Sequence, residues 1–262
     1  MYFNEDDLIV KRINHLKDHV DYFLVVEGSY THSGEPKSLR FELRHPILAK
    51  HPKILYIPHH LNFNSVYWRF QKWRKGRGIS WKIEGAQRNA AIPSLKRFSP
   101  RDIVMSGDLD EFPSRRVLDF IKSNYKEVLK NAHVCSQINH IYNIAYRFEG
   151  RWNGTIVSSV ADLITNTPKR LRAVRDSLSK IDDAGWHLSF FMGSEKISEK
   201  IRAFAHQEFN NEAFAKTDHV EWAMETGTDL FGLGREILKT DTNGPEYEEI
   251  SRLFGVDSAP LK

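Results

Sequence analysis

The stretch RDIVMSGDLDEFPS, from Arg101 to Ser114, places a short apolar run directly before three acidic side chains. A continuous apolar run of this length, bounded by polar residues, is typical of a buried β-strand. Asp108 and Asp110 follow it two residues apart, so their carboxylates share one face wherever the segment is extended. Ser114 is a suitable N-cap for the helix that the apolar spacing after it predicts.

Strand and helix patterns alternate along the first two-thirds of the chain around this stretch. Helical spacing of apolar residues near the N-terminus leads into the strand-like run YFLVVEGS, and KILYIPHH leads into the helical pattern SWKIEGAQRNAAI. Such alternation predicts a Rossmann-type α/β sandwich with a mainly parallel central sheet. We expect residues 1–205 to form this domain and residues 206–262 to pack on it as a helical C-terminal extension.

Three later segments also have strand character. HVCSQINHIYNI and GTIVSSVADLI have mixed polarity, and WHLSFF is short and apolar.

Because the carboxyl ends of parallel strands meet at one edge of a sheet, Glu27 and Asp108 are expected to share a site although they lie far apart in sequence.

Composition narrows the class of protein. The 262 residues are 40% hydrophobic and 27% charged, which is typical of a globular chain. A net charge of +4 suits an anionic ligand but lacks the concentrated basicity of a nucleic-acid binder, so no nucleic-acid partner is expected. Cys135 is the one cysteine, which excludes an intrachain disulfide. With no signal-peptide pattern and no apolar span, we expect a cytoplasmic location.

The two aspartates have two interpretations. Adjacent carboxylates repel each other, and a divalent cation between them removes that conflict. Carboxylate oxygens suit hard ions such as Mg²⁺ or Mn²⁺. Alternatively, the acids form an Asx-rich turn that leads into the next helix. The spacing of Asp108 and Asp110 alone leaves both interpretations open.

Three separated blocks of sequence carry a resemblance to a known family. They are FNEDDLIVKRINHLKDHVDYFLVVEGSYTHSGEPKSLRF (3–41), GAQRNAAIPSLKRFSPRDIVMSGDLDEFPS (85–114) and AGWHLSFFMGSEKISEKI (184–201). In these blocks the chain resembles glycosyltransferase family 17, the family of the β-1,4-mannosyl-glycoprotein β-1,4-N-acetylglucosaminyltransferase. The segment MSGDLDEFPS also resembles the acidic DXD motif of nucleotide-sugar glycosyltransferases with the GT-A fold.

The resemblance implies a sugar-nucleotide donor, a divalent metal and inversion at the anomeric carbon. Asp108 and Asp110 would then join Mn²⁺ or Mg²⁺ to the diphosphate of a UDP-sugar. Glu111 would orient the loop or a donor hydroxyl, or else accept hydrogen bonds from amides at the helix start. His187 would complete the metal shell, although a histidine between large apolar residues is also common as a hydrogen-bonded core residue.

Further donor contacts are expected from three residues. Glu27 ends the first strand, where this fold receives the nucleoside, and it could accept from ribose or uracil; the alternative is a surface charge. Arg88 and Asn89 lie on the helix before the acidic strand. An arginine can hold a phosphate with its rigid fork, and an ordinary ion pair on the helix face is the competing interpretation.

Acceptor binding and the general base are less clearly indicated. An inverting transfer needs a base near the acceptor hydroxyl, and Asp183 and Glu208 are the candidates, each also explicable as a surface charge. The segment SQINHIYNIAYRFEGRWNG offers aromatic and amide groups for carbohydrate, or is simply a mixed strand. The aromatic and basic stretch 66–77 suits a lipid-linked acceptor, a membrane surface or a nucleic-acid groove, or is an exposed loop.

The sequence therefore predicts a metal-dependent inverting glycosyltransferase. By analogy it transfers N-acetylglucosamine from a UDP-sugar to a glycan hydroxyl, in the synthesis of a surface polysaccharide or a lipid-linked glycan, with peripheral membrane contact as an added expectation. Two alternatives stay open. A metal-dependent phosphohydrolase or nuclease would use the same acids, usually with a two-metal cluster. A non-catalytic module would bind the sugar nucleotide without turnover.

Overall fold

The helices and strands were obtained from a computed structural model that describes residues 1–63, 65, 68, 78–242, 244 and 247–254. The elements in chain order are α1 (Asp6–Leu16), β1 (Phe23–Gly28), α2 (Phe41–Arg44), α3 (Pro46–Ala49), β2 (Ile54–His59), α4 (Ile79–Asn89), α5 (Ile92–Leu95), β3 (Ile103–Ser106), β4 (Glu111–Pro113), α6 (Arg115–Ser123), α7 (Tyr125–Val128), β5 (His133–Ile141), β6 (Asn143–Ser159), α8 (Val160–Asn166), α9 (Pro168–Ala173), β7 (Ser179–Ile181), β8 (Gly185–Ser189), α10 (Ser194–Ala203), α11 (Glu212–Ala215), α12 (Thr217–Thr226), β9 (Ile237–Lys239) and α13 (Glu248–Phe254).

A small parallel sheet forms from the first two strands. β1 and β2 pair from Phe23 opposite Ile54 to Gly28 opposite His59. Helix α1 buries Ile9 and Ile13 in the same core cluster as Val25 of β1. The helix and strand predicted for this part of the chain are confirmed. Each apolar run packs its buried side chains against one neighbouring element.

The larger sheet contradicts the prediction of a mainly parallel central sheet. Within the described residues it has seven strands in the order β3-β6-β5-β8-β4, with β7 beside β5 and β9 beside β6. Only the β5–β8 and β5–β7 pairs are parallel, and the other pairs are antiparallel. The prediction was wrong because an apolar run marks a buried strand but does not specify the direction of its neighbour.

A tight connection between β5 and β6 produces much of this antiparallel pairing. Tyr142 makes the turn with a φ of 65°, so the 17-residue strand β6 returns directly along β5. The segment GTIVSSVADLI, predicted as one strand, divides at Ser159. Its second half is helix α8, and the Ser159 hydroxyl accepts a hydrogen bond from the amide of Asp162.

The C-terminal part is mostly helical but also contributes to the large sheet. Strand β9 pairs with β6, from Tyr146 opposite Lys239 to Phe148 opposite Ile237. One core cluster contains Ile197 and Ile201 of α10 together with Val220 and Ala223 of α12. The predicted boundary at residue 205 stays a prediction.

Two features bear on the expected membrane contact. No helix in the described ranges is both long and apolar enough to cross a bilayer. The aromatic and basic stretch 66–77 lies outside the described residues except for Trp68, which is buried in a cluster with Phe63 and Ile83. Peripheral membrane contact through this stretch therefore stays a prediction.

The strand order brings three polar side chains together. β8 lies between β4 and β5, with His187 opposite Glu111 in the antiparallel pair and opposite Asn139 in the parallel pair. Ser114, the predicted N-cap, does precede α6, but its hydroxyl donates to the carbonyl of Asp183 at 3.1 Å and ties the helix start to the segment before β8.

Gly185 allows this strand to approach closely. Its φ is +111°, and an added Cβ would lie 2.0 Å from the carbonyl oxygen of Phe112. We expect Gly185→Ala to lower the free energy of unfolding by at least about 2 kcal/mol, because both the backbone conformation and the clash oppose the side chain. Gly150→Ala is the control, since nothing lies within 4 Å there. Equal urea-unfolding midpoints for the two variants would contradict this assignment.

Candidate active site

The acidic loop between β3 and β4 closes on itself. The amide of Asp108 donates to Glu111 Oε2 at 3.1 Å, and the amide of Glu111 donates to the carbonyl of Asp108 at 3.2 Å. Gly107 leaves the room for this approach, since a Cβ there would lie 2.5 Å from Glu111 Oε2. The amide of Leu188 donates to the carbonyl of Asp110 at 2.7 Å. The loop is thus a turn fixed against β8, as one interpretation of the spacing predicted.

Two guanidinium groups hold the carboxylate of Asp108. Arg88 contacts both oxygens, at 2.8 Å for Oδ1 and 3.0 Å for Oδ2, and Arg172 reaches Oδ2 at 2.7 Å. Burial alone would raise the pKa of Asp108, but the positive charges of Arg88 and Arg172 lower it well below its ordinary value. Asp108 is therefore a permanently charged carboxylate at neutral pH.

Arg88 and Asn89 have different surroundings at the end of α4. Arg88 pairs with Glu84 at 2.6 Å as well as with Asp108, so the helix-face ion pair and the contact with the acidic loop exist together. The side-chain oxygen of Asn89 accepts from the amide of Lys169 at 3.1 Å. Asn89 thus joins α4 to the start of α9, and its predicted donor contact stays a prediction.

Glu111 anchors the loop from inside. Its side chain is fully buried, and Oε1 accepts from Trp152 Nε1 at 2.9 Å and pairs with Arg172 at 2.7 Å. Arg172 also donates to the carbonyl of Gly154 at 3.1 Å. One guanidinium therefore pairs with the fully buried Glu111, the partly buried Asp108 and a strand carbonyl, which fixes the position of α9 against the loop.

Asp110 faces a different cation. Its Oδ2 lies 3.0 Å from Lys200 Nζ, and the same ammonium lies 3.1 Å from Glu5 Oε1. Burial lowers the pKa of Lys200, but the charges of Asp110 and Glu5 outweigh it and raise that pKa above its ordinary value. Burial raises the pKa of Asp110, but the charge and hydrogen bond of Lys200, together with His187, lower that pKa below its ordinary value.

His187 is oriented by the amide of Asn139. Its Nδ1 lies 2.8 Å from Asn139 Oδ1, and because an amide oxygen only accepts, Nδ1 carries the hydrogen and Nε2 the lone pair. Burial lowers the pKa of His187, which favours the neutral ring. The ring stacks on Trp152 at 4.3 Å with an interplanar angle of 11°. Nε2 points to Asp110, 3.8 Å from Oδ1.

A divalent cation beside Asp110 and His187 would find few ligands among the protein side chains. No group of three or more His, Cys, Asp or Glu residues in the described part of the chain is arranged to hold a metal ion. Asp110 Oδ1 and His187 Nε2 are too far apart for a hydrogen bond at 3.8 Å. Neighbouring ligands of an octahedral ion with bonds of about 2.0–2.2 Å lie about 3 Å apart, so both side chains would have to shift to bind one cation. Its remaining ligands would come from substrate phosphate and water.

Asp108, also predicted as a metal ligand, has a different environment. Both of its oxygens are bonded to guanidinium groups, so a metal would have to displace Arg88 or Arg172. Metal ligation by Asp108, Asp110 and His187 stays a prediction.

Comparison with known proteins gives one match. The sequence model of Glycosyltransferase family 17 matches residues 1–239, a range that includes the acidic loop, Arg172, His187 and Lys200. The chain belongs to glycosyltransferase family 17. The resemblance predicted from three sequence blocks is confirmed, and membership identifies the protein as a glycosyltransferase. No curated protein and no solved structure shows a significant match.

In this family 17 glycosyltransferase, Glu27 is fully buried and engaged by the protein itself. Its Oε1 receives Lys37 Nζ at 2.7 Å and the amide of Arg40 at 2.8 Å. Its Oε2 receives the amide of Phe41 at 3.0 Å and the hydroxyl of Tyr56 at 2.8 Å. These contacts fix the chain that follows β1, and direct contact of Glu27 with the donor stays a prediction.

The predicted bases are exposed, and each already has a side-chain partner. Asp183 pairs with Arg151 at 3.0 Å and adopts a φ of 51°. Glu208 lies 2.7 Å from His206 in a short 3₁₀ helix. Burial raises the pKa of Glu208, but hydrogen bonds with His206 and with a backbone amide together lower that pKa below its ordinary value. The assignment of the base stays a prediction.

Among the aromatic residues proposed for the acceptor, two belong to the interior. Burial lowers the pKa of His140 to about 4, and its Nδ1 donates to the carbonyl of Tyr146. The hydroxyl of Tyr142 donates to the carbonyl of Thr228 at 2.8 Å. Trp152 lies at the site, where the centroid of its ring is 4.3 Å from the centroid of the His187 ring. The guanidinium carbon of Arg175 also lies 4.3 Å from the Trp152 centroid.

Sequence reasoning missed Arg172, Lys200 and Asn139. Arg172 lies in a basic helix, and Lys200 follows an alternating pattern of lysine and glutamate typical of a solvated helix face. Their partners Asp108 and Asp110 are 64 and 90 residues away, so no local pattern indicates the contacts. Only the position of Lys200 within the third family-like block offered a signal.

Arg172 is the first residue to test. We expect Arg172→Ala to lower the free energy of unfolding by about 3–5 kcal/mol, because the fully buried Glu111 and the partly buried Asp108 would both lose a partner. Arg170→Ala removes the same charge from an exposed position of the same helix and should change stability by about 0.5 kcal/mol or less. Urea unfolding measures both, and similar losses would show that the ion pairs of Arg172 contribute little.

Acid stability gives a second test of the same network. The folded pKa of Asp108 lies below the unfolded value of 3.8, so its stabilisation is present above pH 3.8 and is lost as the pH falls below it. Asp108→Asn should therefore flatten the fall in unfolding free energy below pH 3.8, whereas the exposed Asp119→Asn should retain it. A wild-type slope in the Asp108 variant would refute the charged pair.

Proposed function

We propose that this glycosyltransferase transfers a sugar from a nucleoside diphosphate sugar to a glycan hydroxyl with inversion. The observation that carries the proposal is the facing pair Asp110 Oδ1 and His187 Nε2, beside the cations Arg88, Arg172 and Lys200. A diphosphate leaving group gains negative charge as the glycosidic bond breaks. Fixed cations and polar donors placed beside such charge stabilise the transition state.

Two arginines beside the acidic loop are suited to bind the diphosphate. Arg88 already holds Asp108 by a forked contact and Arg172 by a single one, and their side chains retain 12% and 14% exposure at the loop. Guanidinium groups bind phosphate oxygens with the same geometry that they use for carboxylates. We assign them to the donor diphosphate, with Asp108 keeping their orientation fixed.

A divalent cation, Mn²⁺ or Mg²⁺, would be held by Asp110 and His187 and would supply a Lewis acid for the diphosphate. Asn139 supports this role, since its oxygen keeps the hydrogen of His187 on Nδ1 and the lone pair on Nε2. The stacked Trp152 restrains the ring further. These contacts arrange the site before the donor arrives.

The remaining assignments follow the family resemblance. UDP-N-acetylglucosamine is the proposed donor, and a glycan or lipid-linked glycan is the proposed acceptor, consistent with cytoplasmic synthesis of a surface polysaccharide and peripheral membrane contact. Asp183 and Glu208 are the proposed bases for the acceptor hydroxyl. Family membership favours transfer over the phosphohydrolase, nuclease and non-catalytic binding functions.

A thermal-shift panel of nucleotide sugars, with and without MnCl₂, tests donor binding. We expect UDP-N-acetylglucosamine with Mn²⁺ to raise Tm, since a ligand at 100 times its Kd adds about 2.7 kcal/mol of stability. Asp110→Asn should remove the dependence on Mn²⁺, and the exposed Asp119→Asn should keep it. If no nucleotide sugar raises Tm under any condition, the proposed function is wrong.

The base is tested by separating binding from transfer. Glu208→Gln and Asp183→Asn each remove a proton acceptor and preserve side-chain shape. The variant that lacks the base should keep the thermal shift with donor but lose transfer by about 100-fold or more in a sugar-release assay. Full transfer activity in both variants would exclude both residues.

A further inference from the structure

Lys200 occupies an unusual position between two separate carboxylates. It lies near the end of α10 and reaches across to Asp110 of the acidic loop, at 3.0 Å, and to Glu5 before α1, at 3.1 Å. Its side chain has 18% exposure, so water screens the pairs incompletely. One ammonium thus serves two carboxylates from distant parts of the chain.

Lys200 weakens the attraction of this site for a metal that arrives alone. Asp110 and Glu5 carry two negative charges, and Lys200 cancels one of them. The ammonium is bound to Oδ2 of the carboxylate whose Oδ1 faces His187. A divalent cation beside Asp110 would therefore lie close to a fixed positive charge, and like charges at such distances repel strongly in a partly buried site.

A diphosphate changes this balance. Its oxygens carry negative charge next to the same ammonium and would give Lys200 a second partner. Lysine is suited to the exchange, because its ammonium is a compact charge with three donors on a flexible stem. Once the phosphate shares the ammonium, the repulsion that Lys200 exerts on a metal at Asp110 is reduced.

We propose that Lys200 couples the two ligands, so that a divalent cation binds well at Asp110 and His187 only when the donor diphosphate is present. This inference rests on the proposed function. Lys200 is then a positioning residue that holds the cation site closed to free metal. By linkage, the metal must raise the affinity for the diphosphate by the same factor.

The test is a calorimetric titration of MnCl₂ into the full chain, with and without UDP. For the wild type we expect UDP to raise the affinity for Mn²⁺ by about tenfold or more. In Lys200→Met, the affinity for Mn²⁺ without UDP should rise by about tenfold, and the effect of UDP should shrink. Lys196→Met is the matched control, since its ammonium lies one turn earlier on α10 and pairs with Asp6.

Lys200→Met is expected to lose stability, because it leaves Glu5 and Asp110 without their cation. A second variant therefore tests the proposal without this imbalance of charge. Glu5→Gln combined with Lys200→Met removes one charge of each sign, so the net charge of the site equals that of the wild type. Its affinity for Mn²⁺ without UDP should still exceed the wild-type value. A wild-type response to Mn²⁺ in this double variant would overturn the proposal.

The outcomes also separate this inference from the proposed function. If the wild type binds UDP together with Mn²⁺, but the Lys200 variants keep wild-type affinities, the proposed coupling role of Lys200 is wrong and the proposed donor site is supported. If neither the wild type nor any variant binds UDP, with or without Mn²⁺, both proposals fall.

Discussion

The ion pairs between Arg172 and the carboxylates of Asp108 and Glu111 determine the shape of the acidic loop. Removing a carboxylate from water costs several kcal/mol unless a cation and hydrogen bonds replace the lost solvent. The fully buried Glu111 can occupy its place only because α9 brings a guanidinium to within 2.7 Å. The loop between two strands therefore depends on a helix more than sixty residues later in the chain.

The order of strands explains why the remaining polar groups converge. β8 runs between β4 and β5, which sets His187 beside both Glu111 and Asn139. The return of β6 along β5 brings Trp152 over the imidazole. A mainly antiparallel sheet thus brings together Glu111 and His187, two of the residues predicted for the site, with Asn139 and Trp152, because they lie on neighbouring strands.

Local patterns predicted the elements better than their arrangement. The spacing of Ile9 and Ile13 and the apolar runs of β1 and β3 are local properties, so the helix and strands were predictable. The turn at Tyr142 has a positive φ without the glycine that usually signals it, which hid the β5–β6 hairpin. Arg172 and Lys200 carry no local signal at all, since their roles exist only after the chain has folded.

The stacking of Trp152 on His187 has a practical consequence. The indole lies 4.3 Å from the imidazole and donates its N–H to the buried Glu111, so its share of the emission of the six tryptophans depends on the state of that imidazole. A paramagnetic ion held by that imidazole would quench the fluorescence through direct ring contact. Quenching of Trp152 would therefore report the binding of an ion at His187 without an added dye.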